Sequence, residues 1–459
     1  MWTEEQLRVL EEPIRDMVVF AGPGSGKTTV LTEYMARQLV TRDIEPEHIM
    51  SLTFTRKSAT QLGKRLLEQH PELGTQLDKL HLGTFHSQLF HSLLRKMPDI
   101  PVLLKSSEQY QLAKQAVSEA FSENSTGPRV IQNFLAEVTR LKSTFPVAVD
   151  DSPYVRAFHR YEQLKVAEKR WDFDDIVLEF LRILESHGLP LEFQNVRLML
   201  VDEFQDTNAL QWRIFERIRS NSSARMYVVG DDDQSIYSFR GASSEWLVNF
   251  ESYVPLATRH YLQTNFRSAR TICEVASTLI QYNVDRAPKT MRPVRSETGV
   301  AQAIRVRDEA DEIETIRFLV EYYLRGTETS IAVLARTRQQ LLPILQIYLR
   351  HTSFRKAYDG RVHSLEFRTF HEAKGQEWDV VIILGAVANS PYLRDRSTES
   401  TESSEERRLF FVACTRARVC LYILVPKFYK TLCVRSLCFL SESKIEFIRK
   451  SQLSSNLRG

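Results

Sequence analysis

AGPGSGKTT at residues 21–29 and VDEFQD at residues 201–206 decide how this chain is read. The first fits a phosphate-loop pattern, Ala or Gly, four residues, then Gly-Lys-Ser/Thr, with Ala21 in the opening position. An apolar run, Met17–Phe20, precedes it, and a helical stretch, VLTEYMARQL, follows. That context suits a phosphate cradle. Gly22, Gly24 and Gly26, with Ser25 among them, let the backbone curl so that its N–H groups and the helix N-terminus face a polyphosphate. Lys27 then reaches the β- and γ-phosphates, and the Thr28 hydroxyl can hold Mg²⁺, with Thr29 next in line. A metal in that role needs a carboxylate at the end of a neighbouring strand. LMLVDE supplies Asp202, and Glu203 beside it can polarise a water. Alone, a phosphate-loop pattern also occurs by chance or serves a kinase or a synthetase, and DE after a strand also fits a solvated loop. The two in order, each behind its own apolar strand, imply nucleotide binding, and Glu203 adds hydrolysis.

The chain has 459 residues, enough for roughly three domains, and is 43% apolar and 26% charged, the balance of a globular protein with a sizeable core. A formal net charge of +3 is only mildly basic, so any nucleic-acid site must be a local patch. The five cysteines (Cys273, Cys414, Cys420, Cys433 and Cys438) form no C-x-x-C pair and sit among apolar residues, which predicts core thiols and no metal site. The N-terminus lacks a secretory pattern, and the longest apolar run, Val380–Ala388, is too short to span a bilayer. A soluble cytoplasmic protein is expected.

Short apolar strands alternate with amphipathic helical stretches, as in parallel α/β sheets. Strands are predicted at Met17–Phe20, Ile49–Phe54, Leu198–Val201, Met226–Val229, Ala303–Val306, Ile331–Ala335, Val380–Leu384 and Leu421–Val425. They form two groups parted near residue 255, hence two sheets. Helices are predicted at Lys27–Leu39, Lys57–Gln69, Ser268–Tyr282, Glu309–Arg325 and Arg338–Arg350. Residues 88–195 carry long helical patterns (Glu108–Phe121, Arg129–Thr144, Tyr154–Lys169) and no convincing strand, which reads as a helical insertion. STESTESSEE at residues 397–406 reads as a solvated loop.

Further motifs fall at strand ends, where ligands sit on open α/β sheets. LTFTRKSA (52–59) and GTFHS (83–87) place Phe54, Thr55, Thr84 and His86 there. VVGDDDQSIYSFRGA (228–242) follows with Gln234, Tyr237, Phe239 and Arg240. Interleaved aromatics and Arg can stack bases and hold the phosphates of a single strand. The later part gives QTNFRSA (263–269), RTFHEAKGQEWD (368–379) and EERRLFFVACTRAR (405–418), in which Arg267 and Arg416 lie near element boundaries. An Arg brought to a breaking phosphate gives about 10³–10⁵ in rate.

In order along the chain, TEEQ, AGPGSGKTT, LTFTRKSA, GTFHS, DFDD (172–175), VDEFQDTNALQ, VVGDDDQSIYSFRGA, TNFRS, TFHEAKGQEWD and EERRLFFVACTRA resemble the superfamily 1 DNA helicases of the UvrD/PcrA/Rep type. The resemblance implies an α/β fold of two RecA-like P-loop domains with parallel sheets, the first (1–87 and 196–254) carrying a helical insertion (88–195), the second spanning 255–459. It implies ATP and Mg²⁺ as cofactors and movement 3′ to 5′ on single-stranded or partly duplex DNA, with the triphosphate between the two domains. Carried over by residue, it implies that Gln6 reads adenine and Phe266 stacks on it. Lys27, Thr28 and Asp202 hold triphosphate and metal, and Glu203 is the catalytic base. Gln234, Arg267 and Arg416 touch the γ-phosphate, and Glu377 faces the sugar. Phe54, Thr55, Thr84, His86, Tyr237, Phe239, Arg240, Thr369 and His371 line the strand track.

The departures are informative. Phe239 stands where many members carry Trp, so stacking survives. Thr29 stands where many carry Arg beside the base, which implies looser nucleotide selectivity. The interval from Arg267 to His371 holds only the strands and helices of the second α/β core, so the second helical insertion of full-length relatives is missing or vestigial. Compact UvrD-like proteins of this size occur as partners of an OLD-family ATPase–nuclease in Gabija anti-phage defence. A DNA-end-sensing ATPase subunit of such a complex is therefore the second reading beside a motor. No motif distinguishes DNA from RNA by a 2′-hydroxyl contact.

Overall fold

In a computed structural model, the described residues are 2–41, 43–97, 99–121, 127–143, 152–324, 329–350, 365–388, 401–429 and 432–456. The chain divides into two compact units, Met1–Phe20 with Lys27–Tyr261 and Ala21–Gly26 with Leu262–Gly459. The phosphate-loop hexapeptide thus packs with the second unit, although the strand before it and the helix after it are built mainly into the first.

The first unit holds a six-stranded sheet of β1 (Met17–Ala21), β2 (Ile49–Thr53), β3 (His81–Thr84), β4 (Leu198–Val201), β5 (Arg225–Gly230) and β6 (Thr258–Leu262), in the spatial order β3-β2-β4-β5-β1-β6. The first five pair in parallel. The central strands β1, β2 and β4 are buried along their whole length, which is why they read as unbroken apolar runs. The sheet continues past residue 255, where the strand groups were expected to part: TRHYL at 258–262 adds an edge strand to it.

Helices α1 (Glu4–Leu10), α2 (Lys27–Val40), α3 (Arg56–Gln69) and α4 (Phe85–Lys96) precede an inserted set, α5 (Ser106–Ala120), α6 (Pro128–Ser143), α7 (Pro153–Ala167) and α8 (Phe173–His187). The first three inserted helices share an apolar core around Phe134, Val138, Phe158 and Tyr161. A two-residue parallel pairing, Val102–Leu103 with Arg170–Trp171, adds a short β element to the expected all-helical insertion. Helix α9 (Ala209–Asn221) starts at an Asn208 capping box and returns the chain to the sheet.

The second unit holds another six-stranded sheet: β7 (Val300–Val306), β8 (Ile331–Ala335), β9 (Leu365–Thr369), β10 (Trp378–Ile383), β11 (Ala417–Pro426) and β12 (Glu446–Arg449). The spatial order is β9-β8-β10-β11-β7-β12, with every pair parallel. Its helices include α10 (Arg270–Ile280), α11 (Glu309–Leu324), α12 (Arg338–Arg350) and α13 (Thr401–Cys414). Helix α13 corrects one expectation. Residues 401–406 of the acidic stretch are helical, and Glu406 bonds the Arg336 guanidinium at 2.6–3.2 Å. Residues 397–400, and the expected helix ends Thr144 and Arg325, lie outside the described residues. The cysteine expectation is also corrected in part. All five are free thiols; Cys273, Cys414 and Cys420 are buried, but Cys433 and Cys438 are exposed. No helix among the described residues is long and apolar enough to cross a membrane.

Candidate nucleotide and nucleic-acid site

The phosphate loop leaves β1 through two glycines in the left-handed region, Gly24 (φ +66°) and Gly26 (φ +83°). Ser25 closes the turn, its hydroxyl donating to the Gly22 carbonyl at 2.8 Å. In the second unit the loop meets the TNFRS stretch. The Asn265 amide donates to the Pro23 carbonyl at 2.7 Å, Gly22 N–H reaches the Leu262 carbonyl at 3.0 Å, and Phe266 N–H reaches the Gly24 carbonyl at 3.0 Å. A Cβ on Gly24 would lie 2.6 Å from the Arg267 Cβ, so only glycine fits.

Arg267 donates to the Glu377 carboxylate at 2.6 Å and to the Thr415 carbonyl at 3.3 Å. The next residue, Arg416, is fully buried and is held by the carbonyls of Val412 at 2.9 Å and Gln376 at 3.4 Å. Arg267 thus lies beside the loop with Glu377 bonded to it, and Arg416 follows the Thr415 whose carbonyl Arg267 reaches. Phe266 is exposed.

In the first unit, β4 and β5 bring the acidic residues to the start of α2. Thr28 donates to Asp202 Oδ2 at 2.9 Å, and Glu203 N–H donates to Oδ1 at 2.9 Å. The Lys27 ammonium lies 3.9 Å from the Glu203 carboxylate. Burial, then the Glu203 charge, pushes the Asp202 carboxyl up to about 6, against the pull of Lys27 and the Thr28 hydrogen bond. Two carboxylates faced by one ammonium, with a hydroxyl between, form a hard-oxygen set short of positive charge, and Mg²⁺ fits it. Glu203 sits in the left-handed region at φ 54°, a conformation a non-glycine residue holds only where its surroundings enforce it.

Sequence reasoning missed how Glu203 is held. Gln205 donates to Glu203 Oε2 at 2.6 Å and accepts Asp231 N–H on its Oε1 at 3.0 Å. Asp231 in turn accepts from the Gln234 amide at 2.5 Å. A buried chain of hydrogen bonds therefore joins Gln234 to Glu203 through Asp231 and Gln205. Gly230 leaves the room this needs, since a Cβ there would sit 2.4 Å from Gln205 Oε1. A second missed residue is Arg65, whose guanidinium donates to Thr29 Oγ1 at 3.0 Å. It brings from α3 the cation that the sequence lacks at residue 29. Gln6, expected at adenine, closes the capping box of α1, its Oε1 accepting Thr3 N–H at 3.1 Å.

The residues expected along a strand track lie at or after the ends of β2, β3 and β5 in the first unit, and of β9 in the second. Thr55, Thr84 and Thr369 act locally, accepting N–H groups of Ser58, Ser87 and Glu372. Phe54 and His371 are half-buried. The half-buried His86 ring packs against Phe85 and Phe173, at centroid distances of 5.7 and 6.0 Å. Burial pushes its imidazole down to about 4, which leaves the ring uncharged at neutral pH. Tyr237 and Phe239 meet edge to face at 6.0 Å, with the Arg240 guanidinium over both rings at 5.4 and 5.5 Å. Phe239 is 45% exposed, and Phe173, another missed aromatic, is 52% exposed beside His86. Exposed rings with a cation and a neutral imidazole suit base stacking better than core packing. The signal available in the sequence was an aromatic inside DFDD, between residues too polar for a core.

Two family models match this chain. The description "UvrD/REP helicase N-terminal domain" matches residues 2–255, and "UvrD-like helicase C-terminal domain" matches residues 340–427. The ATP-dependent DNA helicase PcrA of Staphylococcus epidermidis is 28% identical over 365 residues, covering 75% of this chain and 49% of that protein. PcrA of Staphylococcus aureus is 28% identical over 367 residues, with the same coverage of 75% and 49%. YjcD of Bacillus subtilis, an ATP-dependent DNA helicase by its provisional name, is 30% identical over 321 residues, covering 67% of this chain and 42% of that protein. The chain spans about half the length of the curated relatives it matches.

Proposed function

Since the chain belongs to the UvrD/REP helicase family, we propose that it is a DNA-stimulated ATPase that moves 3′ to 5′ along single-stranded DNA and unwinds duplex ahead of it. The observation that carries this reading is the joining of Lys27, Thr28, Asp202 and Glu203 at the start of the phosphate-loop helix, with Gln205 and Asp231 linking Glu203 to Gln234. Lys27 and the loop N–H groups bind the phosphates. Thr28 and Asp202 would hold Mg²⁺, which supplies charge neutralisation on the phosphate oxygens when bound. Glu203 orients the attacking water and takes its proton. Arg267 and Arg416 neutralise charge at the γ-phosphate, with Glu377 releasing Arg267 to the sugar and phosphate side. Gln6 and Phe266 hold the base, and Arg65 supplies the cation missing at Thr29.

Phe54, Thr55, Thr84, His86, Tyr237, Phe239, Arg240, Thr369 and His371, joined by Phe173, are assigned to the strand. Lys27→Ala tests the reading: phosphate release stimulated by oligonucleotide is lost while strand binding persists. A fully active variant rules the site out.

A second reading is a DNA-end-sensing ATPase subunit working with an OLD-family ATPase–nuclease. It is favoured by the short interval from Arg267 to His371, where the described elements are those of the second sheet and its helices, with a two-residue strand, Arg292–Pro293. A strand-displacement assay on the isolated chain separates the two: robust unwinding supports the motor, and ATPase without unwinding supports the subunit.

A further inference from the structure

DFDD at residues 172–175 has one ring in the strand track, yet its acids gather the most buried charges of the inserted helices. Lys142, near the end of α6, and Lys165, in α7, are 1% and 2% exposed. Lys142 donates to both oxygens of Asp172, at 2.9 and 2.8 Å, and to Asp175 at 2.5 Å. Lys165 donates to Asp172 at 3.0 Å and to Asp175 at 2.5 Å. Glu162 lies 3.1 and 2.9 Å from the two ammoniums, and the Tyr161 hydroxyl donates to Asp172 at 3.1 Å. Asp172 also caps α8, accepting the N–H groups of Asp174 and Asp175 at 3.1 Å.

A cluster of this kind is a poor way to glue helices together. Removing charges from water offsets much of their mutual attraction, and apolar residues of the same volume often stabilise at least as well. What hydrogen-bonded charge adds is direction: an ammonium shared by two carboxylates fixes which residue of one helix faces which residue of the next.

The residues so fixed are the neighbours of the cluster in sequence. Phe173 follows Asp172 and stands exposed against His86. Ser143 follows Lys142 and fills the space over Gly241, where a Cβ would lie 2.4 Å from its hydroxyl. Gly241 (φ +78°) ends the turn that carries Tyr237, Phe239 and Arg240. The same buried charges therefore border both groups of rings, His86 with Phe173 and Tyr237 with Phe239, which are read as one aromatic row.

We propose that Lys142 and Lys165 are positioning residues for single-strand binding, locking α6 and α8 so that Ser143 backs the Tyr237–Arg240 turn and Phe173 stays against His86, with neither ammonium touching the strand. This deepens the function proposed above and rests on the reading of the aromatic row.

The test is Lys142→Met in the full chain, with a fluorescein-labelled oligo-dT titrated by anisotropy across a salt series and a fluorescent ATP analogue titrated alongside. The expected result is about a tenfold loss of strand affinity, the scale of one lost stacking contact. Nucleotide affinity stays unchanged, as does the slope of log affinity on log salt, because no phosphate contact is removed. Unchanged strand affinity overturns the proposal. So does a salt slope shallower by about 1, which would make Lys142 a phosphate ligand. Should Lys142→Met fail to fold, the charge-balanced Lys142→Met/Asp172→Asn, which retains a capping residue on α8, is titrated in the same way, and the same two results overturn the proposal. A parent chain that does not bind the oligonucleotide overturns this inference and the aromatic-row reading together. A parent that binds and a variant that binds equally well overturns this inference alone.

Discussion

Glu312→Gln should change how the second unit responds to pH. Glu312 lies in α11, is 5% exposed, and accepts the Gly385 N–H at 2.7 Å. Burial pushes its carboxyl from an ordinary 4.5 up to about 8; the Gly385 hydrogen bond opposes that and Glu309 adds to it. The folded chain therefore keeps the proton at a pH where the unfolded chain has lost it. Its contribution is fully present below about pH 4.5 and is lost as pH rises through about 8. At about 1.4 kcal/mol per pH unit, the whole window bounds the effect near 5 kcal/mol, and a few kcal/mol is the expected scale. Gln can still accept the Gly385 N–H and has no charge to bury, so the variant lacks this dependence. Each kcal/mol moves the melting temperature of a unit this size by about 2–4 °C. The melting temperature of the variant relative to the parent should thus rise by roughly 5–10 °C between pH 5 and pH 8. Scanning fluorimetry of both proteins across that range is the assay. Parallel curves would refute a buried neutral carboxyl.

Arg65→Ala should raise the KM for ATP about fivefold with kcat little changed, the scale of one lost hydrogen bond near 1 kcal/mol; steady-state kinetics showing an unchanged KM would remove Arg65 from the nucleotide site. Gly230→Ala pushes a methyl into the Gln205 amide and should lower kcat by about 10²-fold while nucleotide binding persists, because Glu203 loses its alignment; normal turnover would show that the Gln205 bond is dispensable. Phe173→Ala and Phe239→Ala should each weaken oligonucleotide binding by about 1–3 kcal/mol. Equal affinity in both variants would count against a stacking row.

The apolar centre of each sheet was legible and its margins were not. Within the two six-stranded sheets the four strands missed in the sequence, His81–Thr84, Thr258–Leu262, Leu365–Thr369 and Glu446–Arg449, are the four edges. A central strand is buried on both faces and spells itself as IAVLA; an edge strand carries water on one side and spells itself as LEFRT. The nucleotide residues could be read because a backbone cradle forces glycines and a lysine into fixed spacing. Gln205, Asp231, Arg65 and Lys142 could not. Their roles depend on partners 26 to 36 residues away, at Gln205–Asp231, Arg65–Thr29 and Lys142–Asp172, which no local pattern marks. Residues 401–406 misled because a polar stretch that finds an Arg partner can extend a helix as well as a loop.

Gly24 leaves the phosphate loop no slack against the Asn265 side-chain amide and the Cβ and backbone nitrogen of Arg267. An anion that flexes residues 22–26 on arrival should therefore move that neighbouring segment, which is bonded to the loop at Asn265 and to Glu377 through Arg267. Loading and guanidinium release would then be a single event, so an analogue that fills the loop without straightening it should leave Glu377 still bonded.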